Sequence, residues 1–123
     1  MTISRVESPV FEQGPSLLTM LALVEKRPSM YLGYDESHRA QQLDALESFI
    51  AGYCAAVHHH GLIDAGYTAY ARFPDYLRNR FGWSMSCGPI AAIREHSDRD
   101  AAAWDLFWTL LWDAQQPHER EAR

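Results

Sequence analysis

Three consecutive histidines, His58, His59 and His60, are the residues best suited by type to metal or proton chemistry. On a helix, neighbouring side chains diverge by about 100°, so three in a row cannot converge on one ion. Cys54 and His58 stand four apart and do share a face. Zinc would need two further ligands, and no spacing supplies them; His38, Glu95 and His96 are only remote candidates. The trio reads as polar residues at a helix C-terminus, where cations complement the dipole. No metal site and no cofactor are expected.

Nucleophilic catalysis needs a Ser or Cys held beside a base. The stretch Gly82–Gly88 offers Ser84, Ser86 and Cys87, with His96 downstream. No strand precedes it and it lacks the Gly-x-Ser-x-Gly elbow, so a packed turn is the expectation. Neither a Walker sequence nor a Gly-x-Gly-x-x-Gly loop is present. Asp98 and Asp100 read as helix-cap residues rather than a catalytic pair.

Arg72 to Phe81 interleaves arginine with aromatics, a pattern that can stack on bases. Arg72, Arg78 and Arg80 would carry nucleic-acid binding. The net charge of −5 opposes it, because phosphate neutralisation drives such binding. Residues 34–69 carry Asp35, Glu36, Asp44, Glu47 and Asp64 against Arg39 alone. That polarity suits a basic protein partner and would steer its approach.

Helical elements must position these groups. Ser16 is a good N-cap for a first helix, in which Leu17, Leu18, Leu21 and Val24 recur at helical spacing. Lys26 and Arg27 close it and Pro28 stops it. A long helix over about 37–60 follows, with a stripe of Leu43, Leu46, Ile50, Tyr53, Cys54 and Val57 and a cap at Gly61. Residues 62–71 are open between a helical turn, a loop and a short strand. A third helix begins at Pro74, with Leu77 and Phe81 as its inward pair, and ends at Gly82. A short helix starts at Pro89. The last helix carries Trp104, Phe107, Trp108 and Leu111, widened by Leu106, Leu110 and Trp112, after a Ser97–Asp100 capping box.

The expected fold is all-α: a compact bundle of four to five helices around the long central one. Residues 1–15 are expected as an arm, 16–116 as one helical domain and 117–123 as a disordered tail. At 123 residues and 47% hydrophobic, the chain can build a core without staples. No apolar run reaches membrane-spanning length and the start lacks an apolar signal region, so a cytoplasmic protein is expected. Cys54 and Cys87 are then reduced and expected to be buried. A broad Trp-rich last helix suggests a homodimer.

The string Glu25-Lys26-Arg27-Pro28-Ser29-Met30-Tyr31-Leu32-Gly33 resembles the Arg-Pro-Gly-Met-Tyr-Ile-Gly string near the N-terminus of the DNA gyrase B subunit ATPase. That family's catalytic Glu and magnesium-binding Asn have no counterpart in register, its glycine-rich lid is absent, and 123 residues are too few for its fold. ATPase function is therefore rejected. The string is more similar to that of a group of small bacterial proteins. They share Lys-Arg-Pro-x-Met-Tyr-Leu-Gly and then Leu-x-x-Phe-x-x-Gly-Tyr, here Leu46 to Tyr53. They also share a Trp-containing middle and a Phe-rich acidic end, comparable to Trp83 and to Asp105–Trp108. Some of that group accompany polymorphic toxins as immunity proteins.

The resemblance implies a protein-binding module that neutralises a toxin by surface contact, with no chemistry of its own. Asp35, Glu36, Asp44 and Glu47 are the expected contact residues. The alternative is a small enzyme or ligand-binding protein whose pocket is lined by Arg27, Tyr31, Tyr53 and Trp83. In the string itself, Met30 and Tyr31 are expected as packing anchors and Gly33 as the turn. Gly52, inside the long helix, costs about 1 kcal/mol against Ala, which suggests close approach by another element.

Overall fold

Ser16 opens α1 (Leu17–Lys26): its Oγ accepts from the Thr19 N–H at 3.3 Å. Leu17, Leu21 and Val24 turn one face inward and are buried. In this computed structural model residues 16–116 are described; the expected arm and tail lie outside them. Among the described residues all regular structure is helical. Contacts divide the chain into two compact units, Met1–Ala71 and Arg72–Arg123.

In the first unit Arg27 leaves the helical region (φ −137°, ψ 67°), and Pro28 then begins a second short helix, α2 (Pro28–Leu32). Proline suits a first helical position, since its missing N–H would have had no partner there. Gly33, at φ +84°, ends it. The restart corrects the expectation for Met30 and Tyr31. Successive helical side chains point about 100° apart, so three consecutive apolar ones cannot all face inward. The one that does is Leu32; Met30 and Tyr31 are exposed.

A 3-10 turn (Glu36–His38) leads into α3 (Arg39–His60). Leu43, Leu46, Ile50 and Val57 are buried, Tyr53 and Cys54 half-buried. The fully buried Gln42 is the polar exception. Its Nε2 donates to the Tyr34 carbonyl and its Oε1 accepts from Arg39, so its burial leaves neither end unmet. Gly61 caps α3 at φ +62°. Gly52 is exposed, and a Cβ there would meet nothing within 4 Å, so no element approaches it. It lies 200° around the helix from Ile50, on the outward side.

The open stretch 62–71 resolves into a short helix, α4 (Ala65–Tyr70). It packs against α1, which also packs against α2, while α2 rests on α3. The close approach sits here: a Cβ on Gly66 would come within 2.8 Å of the Leu18 backbone nitrogen and 2.6 Å of Ser16 Oγ.

The second unit holds α5 (Phe73–Phe81), α6 (Pro89–Glu95) and α7 (Asp100–Ala114), each packed on the other two. The buried pair of α5 is Phe73 and Leu77 rather than Leu77 and Phe81. Phe73 meets Phe107 edge to face at 5.9 Å, which registers α5 on α7. Phe81 is exposed and stacks on Trp83 instead. Ile90, Ala92 and Ile93 of α6 and Ala103, Trp104, Phe107, Trp108, Leu110 and Leu111 of α7 are buried.

The expected capping box is not formed. Arg99 is the N-cap residue, Ser97 Oγ donates to the Ile93 carbonyl at 2.6 Å, and Asp100 pairs with Arg94 at 3.3 Å. The five expected helices are present, and the short α2 and α4 join them. Cys87 is exposed, against the expectation of burial, because it sits in the turn before α6.

Candidate functional site

Helical spacing puts Leu23, Lys26 and Arg27 on neighbouring positions at the end of α1. The turn at Arg27 swings α2 back beside them, with the Met30 N–H donating to the Arg27 carbonyl at 3.1 Å. Between the two helices lies an open depression of about 210 Å³ lined by Leu23, Lys26, Arg27, Met30 and Tyr31. Met30 is 66% exposed and Tyr31 38%, and Leu23 and Tyr34 are exposed as well. None of the ion pairs among the described residues involves Lys26 or Arg27.

Beyond Gly33 the sign of the charge reverses. Asp35 caps the 3-10 turn: its Oδ1 accepts from the Ser37 N–H (3.0 Å), from Ser37 Oγ (2.6 Å) and from His38 Nδ1 (2.9 Å). The Ser37 hydroxyl, then His38 and the Ser37 amide, hold this carboxyl down at about 2. Glu36 is exposed on the same turn, and Asp44 and Glu47 are exposed one turn apart on α3. The four expected contact residues thus lie along the turn and the first half of α3.

The Asp35 cap has a testable pH signature. Its folded-state value lies below the ordinary 3.8, so its contribution to stability is complete above about pH 4 and is lost as pH falls towards 2. Carbon-detected NMR titration should find the Asp35 midpoint near 2, and Ser37→Ala should move it up towards the ordinary carboxylate value. An unchanged midpoint in the variant would remove the serine hydroxyl as the cause.

Two of the four residues of the alternative pocket belong to this depression. Arg27 and Tyr31 line the depression; Tyr53 and Trp83 are not among its lining residues. Tyr53, on α3, donates its phenol proton to Asp64 Oδ2 at 2.6 Å. Burial first, and that bond second, push its phenol up to about 12. Trp83 belongs to the second unit, sandwiched between Phe81 and His96 at 4.4 Å on each face. A depression of about 210 Å³ is also smaller than the roughly 300–1,000 Å³ of ordinary ligand pockets.

The other sequence candidates are occupied locally. Arg80 donates to Asp113 at 2.6 Å and lies over the Phe81 ring, while Arg78 pairs with Asp75 at 3.2 Å. Two of the three arginines expected to meet phosphate are therefore already neutralised within the chain. Ser84 Oγ donates to Ser86 Oγ at 3.2 Å and accepts from the Ser86 N–H, closing a turn. His96 is stacked on Trp83, and its Nδ1 donates to the Ala92 carbonyl at 2.9 Å. Among the described residues no three His, Cys, Asp or Glu side chains are grouped to hold a metal ion.

Asp64 is the residue that sequence reasoning passed over. Its Oδ1 accepts from the Tyr67 N–H at 2.8 Å, capping α4, and from the Leu17 N–H at 3.3 Å, at the start of α1. With Tyr53 on Oδ2, one carboxylate ties α1, α3 and α4 together. The local signal was available: an Asp three residues ahead of Tyr67, after the glycine that ends α3, is an N-cap pattern. No family model matches the chain, and no curated protein or solved structure is significantly similar to it.

Proposed function

We propose that this protein binds another protein, as an immunity or antitoxin module that neutralises its partner by covering it and performs no chemistry itself. The observation that carries the reading is the exposure of Met30, Tyr31 and Tyr34 within one short stretch that ends in Asp35 and Glu36. Keeping apolar surface in water costs about 25 cal/mol per Å², a cost that burial against a partner removes. Met, Tyr and Arg are also the residue types enriched where proteins meet.

Glu36 follows this apolar stretch on the 3-10 turn and Glu47 is exposed on α3, and both would draw in a basic partner. The resemblance of the Lys26–Gly33 string to small toxin-associated bacterial proteins supplies the immunity or antitoxin kind. A cytoplasmic site of action accords with this reading. No described helix is long and apolar enough to cross a membrane.

Immobilised protein should retain a partner from lysate of the native host, and that partner can then be purified for titration. Met30→Ser/Tyr31→Ser should weaken its binding at least tenfold. Glu36→Lys/Glu47→Lys should weaken it too and reduce its dependence on salt. All three proteins should keep the same helical circular dichroism. A partner that binds wild type and both variants alike, or no retained partner, overturns the reading.

A further inference from the structure

We infer that two copies of this chain pair through the Leu23–Glu36 surface, about a two-fold axis passing by Met30 and Tyr31. The inference rests on the same reading of this stretch as a contact surface, but needs no foreign partner. The order of exposed side chains along the chain carries it: cations Lys26 and Arg27, then Met30 and Tyr31, then Tyr34, Asp35 and Glu36.

A two-fold axis reverses that order. It sets the apolar middle of one copy on the apolar middle of the other. It also sets the cations of each copy opposite the carboxylates of its mate, as an isologous interface requires. Charges of both signs are available for this. Lys26 and Arg27 enter none of the ion pairs among the described residues, and neither does Glu36. Asp35 spends one carboxylate oxygen on Ser37 and His38.

The other apolar surfaces among the described residues offer less for a second copy. The Trp-rich α7, from which a homodimer was expected, has Trp104, Trp108 and Leu111 buried. Leu62 and Ile63 are exposed between His58–His60 and Asp64, but that carboxylate is already taken by the Leu17 and Tyr67 N–H groups and the Tyr53 phenol. The proposed face is small against the 20–30 residues a side of a standard interface, so the dimer is reversible and depends on concentration.

Sedimentation equilibrium of the purified full chain tests this, from micromolar to submillimolar protein at low and high salt. Wild type should show a monomer–dimer equilibrium that shifts towards monomer at high salt. Arg27→Glu and Glu36→Lys should each weaken it at least fivefold, and Met30→Ser should weaken it without changing the salt response. An equimolar mixture of R27E and E36K should regain the wild-type association, because each then offers the charge that the other lacks.

Wild type that stays monomeric throughout, or a mixture no tighter than its components, overturns the inference. The two readings fail separately. A monomeric chain that still binds a host protein removes only the dimer, and a dimer that retains no host protein removes only the neutralising role.

Discussion

Asp64→Ala is expected to lower the stability of the chain by about 3 kcal/mol in urea denaturation, since it removes an N-cap and strands two further donors. The carboxylate caps α4 through the Tyr67 N–H, accepts from Leu17 at the start of α1, and receives the Tyr53 phenol from α3. Asp64→Asn keeps one carbonyl oxygen for the backbone donors and should cost about 1 kcal/mol. Tyr53 reports independently on the same bond. Its phenol stands at about 12, from burial first and Asp64 second. Because that value is raised, its contribution to stability is complete below about pH 10 and is lost as pH rises towards 12. In Asp64→Ala the midpoint should fall but stay above the ordinary value, since burial remains. A variant within about 0.5 kcal/mol of wild type, the range of ordinary surface substitutions, would show that the node carries no weight.

Gly66→Ala should destabilise the chain by about 2–3 kcal/mol, the range for forcing extra volume into a packed contact. The added methyl would lie 2.8 Å from the Leu18 backbone nitrogen and 2.6 Å from Ser16 Oγ. Backbone cannot rotate aside, and Ser16 is the cap of α1, so relief must come from parting α1 and α4. The same substitution at Gly52 should have the opposite sign. Nothing lies within 4 Å of a Cβ there, and the residue is in mid-helix, so Ala should stabilise by about 0.5–1 kcal/mol. Urea midpoints of the two variants measure this directly. Equal shifts in one direction would contradict the placement of α4 on α1.

The contrast between these glycines marks where sequence reading stops. Gly52 stood out because a glycine inside a strong helix pattern carries a known local cost. Gly66 stood in a stretch with no clear period, and its role depends on α1, almost fifty residues earlier. Asp64 is a similar case. As a cap for α4 it was legible from its neighbours, but its bonds to Leu17 and Tyr53 join segments that only packing brings together. The candidate surface divides in the same way. Its acidic members, Asp35, Glu36, Asp44 and Glu47, were readable from composition. The exposure of Met30 and Tyr31 was not, because hydrophobic residue types say what could be buried and not which of three neighbours is.

Five of the seven α-helices among the described residues, and most of their stops, were legible in the sequence. Ser16 capping α1, Pro28 stopping it, Pro89 opening a helix, and Gly61 and Gly82 closing helices in the left-handed region all act through backbone within a turn of themselves. Those effects need no partner segment, so they are written locally. Tertiary structure decided which stripe residues face inward and that Arg80 is spent on Asp113, 33 residues away. These outcomes hang on contacts between residues far apart in the chain. A periodic pattern records that a face exists, and packing alone chooses what covers it.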